Sequence, residues 1–502
     1  MMPMGDIPRH HAQRKAPETP ALIYPGASAT WSALESRATR LAKLYGSRGV
    51  INGDFVGIAL RNSIDYHATA FALWKLGAIP APLSPRLAKQ EFVALVNLLK
   101  PRLIVSDSAE TFEYPMLRPS ADLSNLDDTY LPSETGPYWK AACTGGSTGQ
   151  PKVIVLHAPP AFDPESPDPM AQNKLRPDGV LLNPGPLYHN APFLYSSLAL
   201  FTGSTVIGME RFDAEETLRL IEAHRVNWVC LVPTMMHRIW SLPGPVRERY
   251  DLSSLDAVWH MASACPIWLK QVWIDWLGAD RIWERYGGTE GFGSTTIGGR
   301  EWLDRRGSVG RLINGAQVKV RREDGTECAN GEVGELFFYP AGGHKPSHYI
   351  GAEPRCDAQG GLSLGDLGHL DDQGYVYLAD RRTDIVVRGG ANIYPAEVEA
   401  VLDQHPQVAS SIVIGLPCEE MGARVHAILQ PQSDVIINMQ SVRAFLEERL
   451  EKYKWPESYE LFSGSLRDDT GKARRLALRA ERVAWMERDV PFRMRLTDSS
   501  GS

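Results

Sequence analysis

The sequence lacks the closely spaced cysteines that a zinc site or a disulfide framework requires. Its six cysteines are scattered along 502 residues, and no two of them form a Cys-x-x-Cys pair. Single, dispersed cysteines are typical of proteins from a reducing compartment. The cysteine pattern therefore predicts neither structural zinc nor disulfides, and it predicts a cytoplasmic protein.

Long apolar runs and clusters of one charge are also missing. No apolar run approaches the length of about 18 residues that a membrane-spanning helix needs. The N-terminal stretch MMPMGDIPRHHAQRKAPETP has no apolar segment of the kind found in signal peptides. The net charge of −7 comes from interspersed residues, without the basic stripe of a nucleic-acid-binding protein. The composition thus predicts no membrane span and no nucleic-acid partner.

What the sequence does contain is a change of pattern along its length. Before about residue 300, helical and strand patterns alternate, as in DYHATAFALWKLGAIPAPL, and predict a mixed or parallel sheet covered by helices. Beyond that point, Asp-Gly and Asn-Gly turns interrupt a run of strand patterns. The last hundred or so residues predict a small α+β domain. Because 502 residues are too many for one ordinary core, at least two domains are expected.

Local signals predict the ends of several elements. Thr30 is the predicted N-cap of a helix whose stop is predicted at Gly46. Pro395 is predicted in the first turn of another helix, where its missing N–H costs nothing. A hairpin turn is predicted at the Gln-Gly pair that ends at Gly374. The proline-rich stretch HAPPAFDPESPDPM is interpreted as a surface loop.

The segment CTGGSTGQPKV, residues 143–153, combines glycines, hydroxyl groups and a lysine. Glycine lets backbone N–H groups approach an anion closely, Ser147 and Thr148 add hydroxyl donors, and Lys152 adds a positive charge. The spacing differs from the GxxxxGK[ST] phosphate loop, because Pro151 precedes the lysine and a strand-forming run, KVIVL, begins with it. The segment is therefore predicted to join two strands. Taken alone, it fits an ordinary surface turn as well as a polyphosphate site.

Four segments together resemble the motifs of the adenylate-forming (ANL) superfamily, which includes acyl- and aryl-CoA synthetases, peptide-synthetase adenylation domains and luciferases. The stretch from Thr144 to Lys152 resembles its phosphate loop, and YGGTE (286–290) resembles its adenine- and magnesium-binding turn. GDLGHLDDQGYVYLADRRTDIVVRGGANIYPAEVE (365–399) resembles its ribose-binding and hinge segment. RDDTGK (467–472) resembles its C-terminal lysine loop. On these motifs, found in the right order, the chain is identified as a member of the superfamily.

The resemblance implies the fold of that superfamily, an α/β and α+β architecture with a large multi-sheet N-terminal domain and a small, mobile α+β C-terminal domain. The implied ATP- and acid-binding domain covers residues 1–382, the mobile domain with the catalytic lysine covers residues 383–490, and a flexible tail covers residues 491–502. Thr383 is the implied hinge, although relatives more often have Asp, Lys or Ser there.

A two-step reaction also follows from the resemblance. The carboxylate of an acid attacks the α-phosphorus of ATP, which gives an acyl-adenylate and pyrophosphate. A nucleophile, usually the thiol of coenzyme A, then displaces AMP. Because the carboxylate and the triphosphate repel each other, such a site needs positive charge and firm positioning of both groups. ATP and Mg²⁺ are therefore expected, with coenzyme A as the co-substrate.

The resemblance assigns roles residue by residue. The implied ATP-binding residues are Thr144, Gly145, Gly146, Ser147, Thr148, Gly149, Lys152, Tyr286, Asp366 and Arg381. The implied catalytic residues are Lys472, Glu290, Thr289 and Thr144. Lys472 would bridge the attacking carboxylate and the α-phosphate, Glu290 would place Mg²⁺, and Asp366 would hold the ribose. Outside their motifs, each of these residues would be interpreted as an ordinary surface or turn residue.

Two further sets of residues are implied for the acid and the acceptor. The implied acid-binding residues are Tyr188, His189, Phe193, Trp259, Met261 and Ala262. Their apolar and aromatic character predicts a sizeable hydrophobic or aromatic acid, and the lack of an early aspartate disfavours an amino acid. Gly389 and Gly390 are implied to approach the acceptor, although a simple turn before the next helix explains them equally well.

Three functions compete at this point. The first is an acyl- or aryl-CoA ligase, with motifs similar to those of bacterial ligases of bile-acid-like or aromatic acids. The second is an amide bond synthetase, in which an amine instead of coenzyme A intercepts the acyl-adenylate. The third is a binding protein without catalysis, which the presence of both Lys472 and Glu290 argues against. The sequence does not identify the acid or the oligomeric state.

Overall fold

The computed structural model describes residues 1–87, 89–108, 114–119, 123–144, 151–343, 346–381, 384–388, 391–418, 421–433, 435–468 and 471–492. The predicted site residues outside these ranges are Gly145, Gly146, Ser147, Thr148, Gly149, Thr383, Gly389 and Gly390. Residues 493–502 of the predicted tail lie outside them as well.

Helices are spread along the whole described chain. In chain order they are α1 (Ile7–Ala12), α2 (Trp31–Ser47), α3 (Ile64–Lys75), α4 (Lys89–Leu99), α5 (Pro167–Asn173), α6 (Asn190–Phe201), α7 (Ala214–Ala223), α8 (Pro233–Trp240), α9 (Gly244–Arg247), α10 (Ile267–Leu277), α11 (Gly299–Asp304), α12 (Pro395–Leu402), α13 (Met439–Glu447) and α14 (Arg475–Glu487). Short 3₁₀ helices cover Met4–Asp6, Ala341–Gly343 and Lys452–Lys454.

Strands alternate with these helices in the first 300 or so residues and dominate the segment that follows. In chain order they are β1 (Met2–Pro3), β2 (Pro20–Tyr24), β3 (Ala27–Thr30), β4 (Phe55–Ala59), β5 (Ile79–Pro82), β6 (Leu103–Ser106), β7 (Met116–Leu117), β8 (Lys140–Thr144), β9 (Lys152–Leu156), β10 (Ala161–Phe162), β11 (Val180–Asn183), β12 (Thr205–Gly208), β13 (Trp228–Leu231), β14 (Ala257–His260), β15 (Ile282–Gly287), β16 (Ser294–Gly298), β17 (Ser308–Leu312), β18 (Gln317–Arg321), β19 (Gly334–Tyr339), β20 (Ser347–Ile350), β21 (Arg355–Cys356), β22 (Leu362–Leu370), β23 (Val376–Arg381), β24 (Val386–Arg388), β25 (Ala391–Ile393), β26 (Val408–Cys418), β27 (Gly422–Pro431) and β28 (Ser458–Leu461).

The described residues form two compact units. The first contains Met1–Arg305, Leu312–Ala316 and Pro340–Pro354. The second contains Arg306–Arg311, Gln317–Tyr339 and the described residues from 355 onward. The predicted domain boundary between residues 382 and 383 stays a prediction.

The main sheet of the first unit has the strand order β16-β15-β14-β13-β11-β12-β2-β3. From β15 to β2 the neighbours are parallel, whereas β16 and β3 pair antiparallel with β15 and β2. Helix α6 packs against β11 and β12, and α10 packs against β15. All residues of β14 are buried, as expected for a parallel strand with helices on both faces. The predicted mixed sheet covered by helices is therefore confirmed.

Among the described residues, the first unit also has three smaller sheets, one of which is the antiparallel pair of β1 and β10. Parallel strands form the order β5-β4-β6-β7, and antiparallel strands form the order β20-β9-β8. Strands β8 and β9 flank the glycine-rich segment, and Thr144 lies opposite Lys152 in their register. The prediction that this segment joins two strands is confirmed.

Two local predictions for the first unit have different outcomes. Thr30 caps α2 by accepting a hydrogen bond from the backbone N–H of Ala33 at 3.2 Å, and the helix ends at Ser47, one residue beyond the predicted stop. The interpretation of HAPPAFDPESPDPM as a loop throughout is wrong, because the stretch contains β10 and the start of α5. Pro167 opens α5, a position where the missing N–H of proline is not needed.

The second unit is built from antiparallel sheet and a small α+β layer. Its larger sheet has the order β18-β19-β22-β23-β17, with β21 beside β22. The predicted hairpin between β22 and β23 is confirmed, and its turn includes Gly374 at a φ of 78°, a value that favours glycine. The sheet β26-β27-β28 buries Val413 and Val425 on the face that α12 and α13 cover. Ile412 and Ile414 point to the opposite face, where α14 packs.

The cysteines and the lengths of the apolar helices can be compared with the composition. All six cysteines are free thiols. Within the described ranges, no helix combines the length and the apolar character that crossing a bilayer requires. The cytoplasmic location stays a prediction.

Candidate active site

Several predicted site residues of the first unit follow strands of its main sheet. Because β11, β13, β14 and β15 are parallel neighbours, the segments that follow them leave the sheet at the same edge. The predicted residues there are Tyr188 and His189 after β11, Met261 and Ala262 after β14, and Thr289 and Glu290 after β15. The fold thus gathers predicted acid-binding and catalytic residues at one edge of the sheet.

Glu290 is the best-defined polar group at this edge. Its side chain is buried, and its Oε1 lies 2.9 Å from Nζ of Lys152. The hydroxyl of Tyr349 donates a hydrogen bond of 2.8 Å to the same oxygen. The backbone carbonyl of Glu290 accepts a bond of 2.8 Å from the hydroxyl of Ser347. The structure therefore brings together two residues that the sequence predicted separately, Lys152 and Glu290.

Strand pairing explains this contact. Lys152 begins β9, and β20 pairs antiparallel with β9 so that Tyr349 lies opposite Ile154. Because side chains two residues apart on a strand share a face, Lys152 and Tyr349 lie side by side. The Lys152 ammonium lies 4.2 Å from the centre of the Tyr349 ring, a cation–π distance. Sequence reasoning missed Tyr349, because only the pairing of strands almost 200 residues apart brings it to the site.

The environment of Glu290 keeps its carboxyl group ionised. Burial acts to raise the pKa of Glu290, but the nearby ammonium of Lys152, its hydrogen bond and the Tyr349 hydroxyl outweigh burial. The pKa of Glu290 therefore lies below its ordinary value. An ionised carboxylate is the kind of ligand that Mg²⁺ prefers, often in combination with phosphate oxygens of a substrate. Glu290 thus fits the predicted metal role chemically.

The turn that carries Glu290 has a tight backbone. Gly291 donates its backbone N–H to the carbonyl of Gly288 at 3.1 Å, and its φ of 72° is readily adopted only by glycine. Thr289 is half-buried within this turn, and Tyr286 lies just before it on β15, opposite Thr295 of β16. The turn places the predicted adenine, α-phosphate and metal residues within a few residues of one another.

The predicted acid-binding residues fall into two groups. Tyr188 and His189 are half-buried, with ring centres 4.6 Å apart, at the start of α6. Phe193 is instead a core residue, 1% exposed and packed against the rings of Trp74 and Trp139. Trp259 is fully buried, and its indole N–H donates to the carbonyl of Asn173 at 3.0 Å. Phe193 and Trp259 therefore belong to the hydrophobic core, and their contact with the acid stays a prediction.

The segment after β14 carries local backbone strain. Ala262 has a φ of 77°, in the left-handed region that residues with a Cβ seldom adopt. Its neighbour Met261 is buried, whereas Ala262 itself is exposed. Strained residues of this kind cluster at binding sites, where the surrounding structure holds them in place. The strain is therefore consistent with the predicted role of this segment in binding the acid.

A buried lysine near α6 was missed by sequence reasoning. Lys140 on β8 is 1% exposed, and its ammonium hydrogen-bonds to the side-chain oxygen of Asn190, the first residue of α6. The ammonium also lies 4.4 Å from the ring centre of Trp139. Burial lowers the pKa of Lys140 to about 7. The lysine ties β8 to the start of α6, directly beside the predicted acid-binding His189.

The second unit holds the remaining predicted residues. Asp366 on β22 lies opposite Arg381 on β23, so the pairing of the two strands brings the predicted ribose-binding positions together. Lys472 is exposed on a short loop. Its backbone N–H donates to Oδ1 of Asp468 at 3.0 Å, and its carbonyl accepts from the N–H of Asp468 at 3.0 Å. The lysine loop is thus closed by its own hydrogen bonds.

Known proteins resemble this chain along nearly its whole length. The sequence pattern of the AMP-binding enzyme family matches residues 9–138 and 142–342, and that of the AMP-binding enzyme C-terminal domain matches residues 397–472. The long-chain-fatty-acid–CoA ligase FadD13 of Mycobacterium tuberculosis is 26% identical over 474 residues, which cover 90% of this chain and 93% of the relative.

Two solved structures show the same fold. The o-succinylbenzoate CoA synthetase MenE from Bacillus subtilis, in complex with the acyl-adenylate intermediate OSB-AMP, superposes with a TM-score of 0.81 at 24% identity over 95% of this chain and 98% of its own. The amide bond synthetase McbA from Marinactinospora thermotolerans gives a TM-score of 0.76 at 23% identity over 95% of this chain and 99% of its own. The predicted architecture, with a large N-terminal part and a small C-terminal part, is thereby confirmed.

Proposed function

This chain belongs to the AMP-binding enzyme family, and from that membership we propose that it is an ATP- and Mg²⁺-dependent acid ligase. In the first step a carboxylic acid is converted to its acyl-adenylate, and in the second the acyl group is transferred to coenzyme A. The observation that carries the proposal is the ion pair of Lys152 and Glu290 at the sheet edge. It supplies the cation and the carboxylate that binding of a magnesium triphosphate requires.

Lys152 and Glu290 change partners when the nucleotide binds. Before binding, each charge is neutralised by the other at 2.9 Å. With a magnesium triphosphate bound, the Lys152 ammonium would contact the phosphate oxygens and the Glu290 carboxylate would hold Mg²⁺, so no charge would be left unpaired. The metal ion supplies further neutralisation of the triphosphate. The Tyr349 hydroxyl, which donates to Glu290 at 2.8 Å, keeps the carboxylate in place during this exchange.

Lys472 acts in the adenylation step. Its positive charge stabilises the charge that develops between the attacking carboxylate and the α-phosphate. Asp366 and Arg381 hold the ribose, which their opposed positions in the β22–β23 pair support. Tyr286 contacts the adenine and Thr289 the α-phosphate, in line with their places around the turn after β15.

The acid is proposed to be hydrophobic or aromatic. The proposal rests on Tyr188, whose half-buried ring lies against His189, and on Met261, which is 8% exposed in the segment after β14. FadD13 is named for a long-chain fatty acid, and MenE is named for o-succinylbenzoate. A long-chain fatty acid is hydrophobic and o-succinylbenzoate has an aromatic ring, which agrees with the proposed class.

Amide formation is the second candidate. It shares the adenylation step, and the amide bond synthetase McbA has the same fold with a TM-score of 0.76. The two candidates differ only in the nucleophile that attacks the acyl-adenylate, a thiol in one case and an amine in the other.

A two-stage experiment tests both candidates. Purified protein is first given ATP, Mg²⁺ and a panel of fatty, aromatic and amino acids, and pyrophosphate release is measured. We expect release with hydrophobic or aromatic acids and none without an acid. The accepted acid is then supplied with coenzyme A or with a panel of amines, and the product mass is determined. A thioester supports the first candidate, an amide supports the second, and failure of every acid to release pyrophosphate contradicts both.

A further inference from the structure

A buried carboxylate in the second unit lies at the centre of a network of arginines. Glu399 on α12 is 4% exposed. Its Oε2 lies 3.0 Å from Nη2 of Arg467 and 2.6 Å from Nη2 of Arg475. Its Oε1 accepts the backbone N–H of Val413 at 2.7 Å. Burial acts to raise the pKa of Glu399, but the two guanidinium groups outweigh burial and keep it below its ordinary value.

Arg467 connects this carboxylate to the loop that carries Lys472. Its Nη1 donates to the carbonyl of Gly471, the residue before Lys472, at 3.3 Å. Its Nη2 donates to the carbonyl of Ser411 at 3.0 Å as well as to Glu399. Residues Arg467 and Ala473 also form an antiparallel bridge across the base of the loop. The position of the lysine loop therefore depends on a side chain that Glu399 holds.

Arg475 connects the same carboxylate to a second segment. It follows Lys472 by three residues and begins α14. Its Nη1 lies 3.0 Å from Oδ2 of Asp384, the residue after the predicted hinge Thr383. Glu399 thus binds one arginine on each side of the lysine loop, and one of the two arginines also binds the start of the predicted mobile domain.

We propose that Glu399 is a positioning residue for adenylation, which orients the loop of Lys472 through Arg467 and Arg475. The proposal rests on the function proposed above. Lys472 is exposed on this loop, so the position of its ammonium depends on the position of the loop. A rigid loop is needed because a catalytic charge loses much of its effect when it is displaced by about 1 Å. The buried ion network supplies that rigidity, since guanidinium and carboxylate groups bond in fixed directions.

The decisive test is a double-mutant cycle with Glu399→Gln and Lys472→Ala, read by acid-dependent pyrophosphate release. Glu399→Gln keeps the shape of the side chain and removes its charge. We expect it to lower the adenylation rate at least about tenfold in the wild-type background and less than about twofold in the Lys472→Ala background. An equal loss in both backgrounds would overturn the proposal, because Glu399 would then act independently of Lys472.

Glu397→Gln is the matched control. Glu397 lies on the same helix, but its side chain is 42% exposed and pairs with Lys454 at 2.7 Å on the surface. We expect this variant to leave the adenylation rate unchanged in both backgrounds. Arg467→Lys serves as a second test should Glu399→Gln fail to fold, since it retains the charge beside Glu399 and removes the bond to Gly471. It should reproduce the same dependence on Lys472, and an effect that does not depend on Lys472 counts against the proposal.

Hydrogen exchange separates this proposal from the proposed function. The backbone N–H groups of Gly471 and Lys472 are both bonded to Asp468. Their exchange should be about tenfold faster in Glu399→Gln and unchanged in Glu397→Gln. Faster exchange in a protein that releases no pyrophosphate with any acid would refute the proposed function and leave the loop contact standing. Unchanged exchange would refute the positioning role whatever the activity.

Discussion

Replacing Glu290 by glutamine is expected to reduce the stability of the protein. Oε1 of Glu290 lies 2.9 Å from the Lys152 ammonium and accepts the Tyr349 hydroxyl. At that separation and an effective dielectric of about 20, the Coulomb attraction is about 6 kcal/mol. Desolvation of the two ions offsets most of it. Because the Lys152 side chain is 21% exposed and can turn to water when its partner is lost, we expect a decrease of about 1–3 kcal/mol in the free energy of unfolding.

The pH dependence of this difference tests the ion pair directly. The pKa of Glu290 is below its ordinary value, so its unfolded-state value of about 4.3 is the higher of the two. A carboxyl group of this kind stabilises the fold above the unfolded-state pKa and loses that contribution as the pH falls through the folded-state pKa. The stability difference between wild type and Glu290→Gln should therefore be constant above about pH 5 and shrink below about pH 4. Urea unfolding at several pH values measures it.

The same variant tests the metal role. We expect Glu290→Gln to raise the Mg²⁺ concentration for half-maximal pyrophosphate release at least about tenfold, because a neutral amide is a poorer ligand for a hard cation. Glu353→Gln, at an exposed glutamate of the same unit, should change neither stability nor Mg²⁺ dependence. A wild-type Mg²⁺ dependence in Glu290→Gln would refute the metal role, and a stability difference independent of pH would refute the ion-pair reasoning.

Other residues give further predictions. Lys472→Ala should slow adenylation about a hundredfold or more and slow transfer from a premade acyl-adenylate far less, and equal losses in the two half-reactions would contradict the role. Ala262→Gly should raise the free energy of unfolding by up to about 1 kcal/mol, since glycine tolerates a φ of 77°, and a loss of stability would argue against strain there. The pKa of Lys140 is lowered to about 7 by burial. As the pH rises from 7 to 10, the free energy of unfolding of wild type should therefore increase relative to that of Lys140→Met, by at most about 1.4 kcal/mol per pH unit. Parallel stability curves for the two proteins would contradict a buried, proton-releasing lysine.

Local sequence signals predicted local structure well. Thr30 predicted a cap because a side-chain oxygen can reach a backbone N–H three residues on, and it does so at 3.2 Å. Pro395 predicted a helix start, and α12 begins at that residue. KVIVL predicted a strand after the glycine-rich segment, and β9 has those five residues. In each case the interaction that decides the structure lies within a few residues of the signal.

The errors and omissions have a common physical cause, because they depend on contacts between distant parts of the chain. Tyr349 reaches Glu290 only because β20 pairs with β9. Glu399 was part of a recognised motif, but its two arginines lie about 70 residues further along the chain. Phe193 packs against the rings of Trp74 and Trp139, contacts that its motif does not show, and its contact with the acid stays a prediction. A sequence shows which residues are aromatic or charged, but the tertiary packing decides which of them face a ligand.

The two lysines of the proposed reaction are held in different ways, and the difference follows from their tasks. Lys152 is paired with a buried carboxylate at 2.9 Å, so the proposed magnesium triphosphate must replace an existing contact, and it offers both charges in return. Lys472 is exposed, and the ion network around Glu399 holds its loop from the side that faces away from solvent. A lysine that selects the nucleotide is more specific when the ligand must compete with a carboxylate for its ammonium. A charge that stabilises a transition state is more effective when its loop is rigid and its ammonium is accessible, because its effect depends on its position relative to the developing charge.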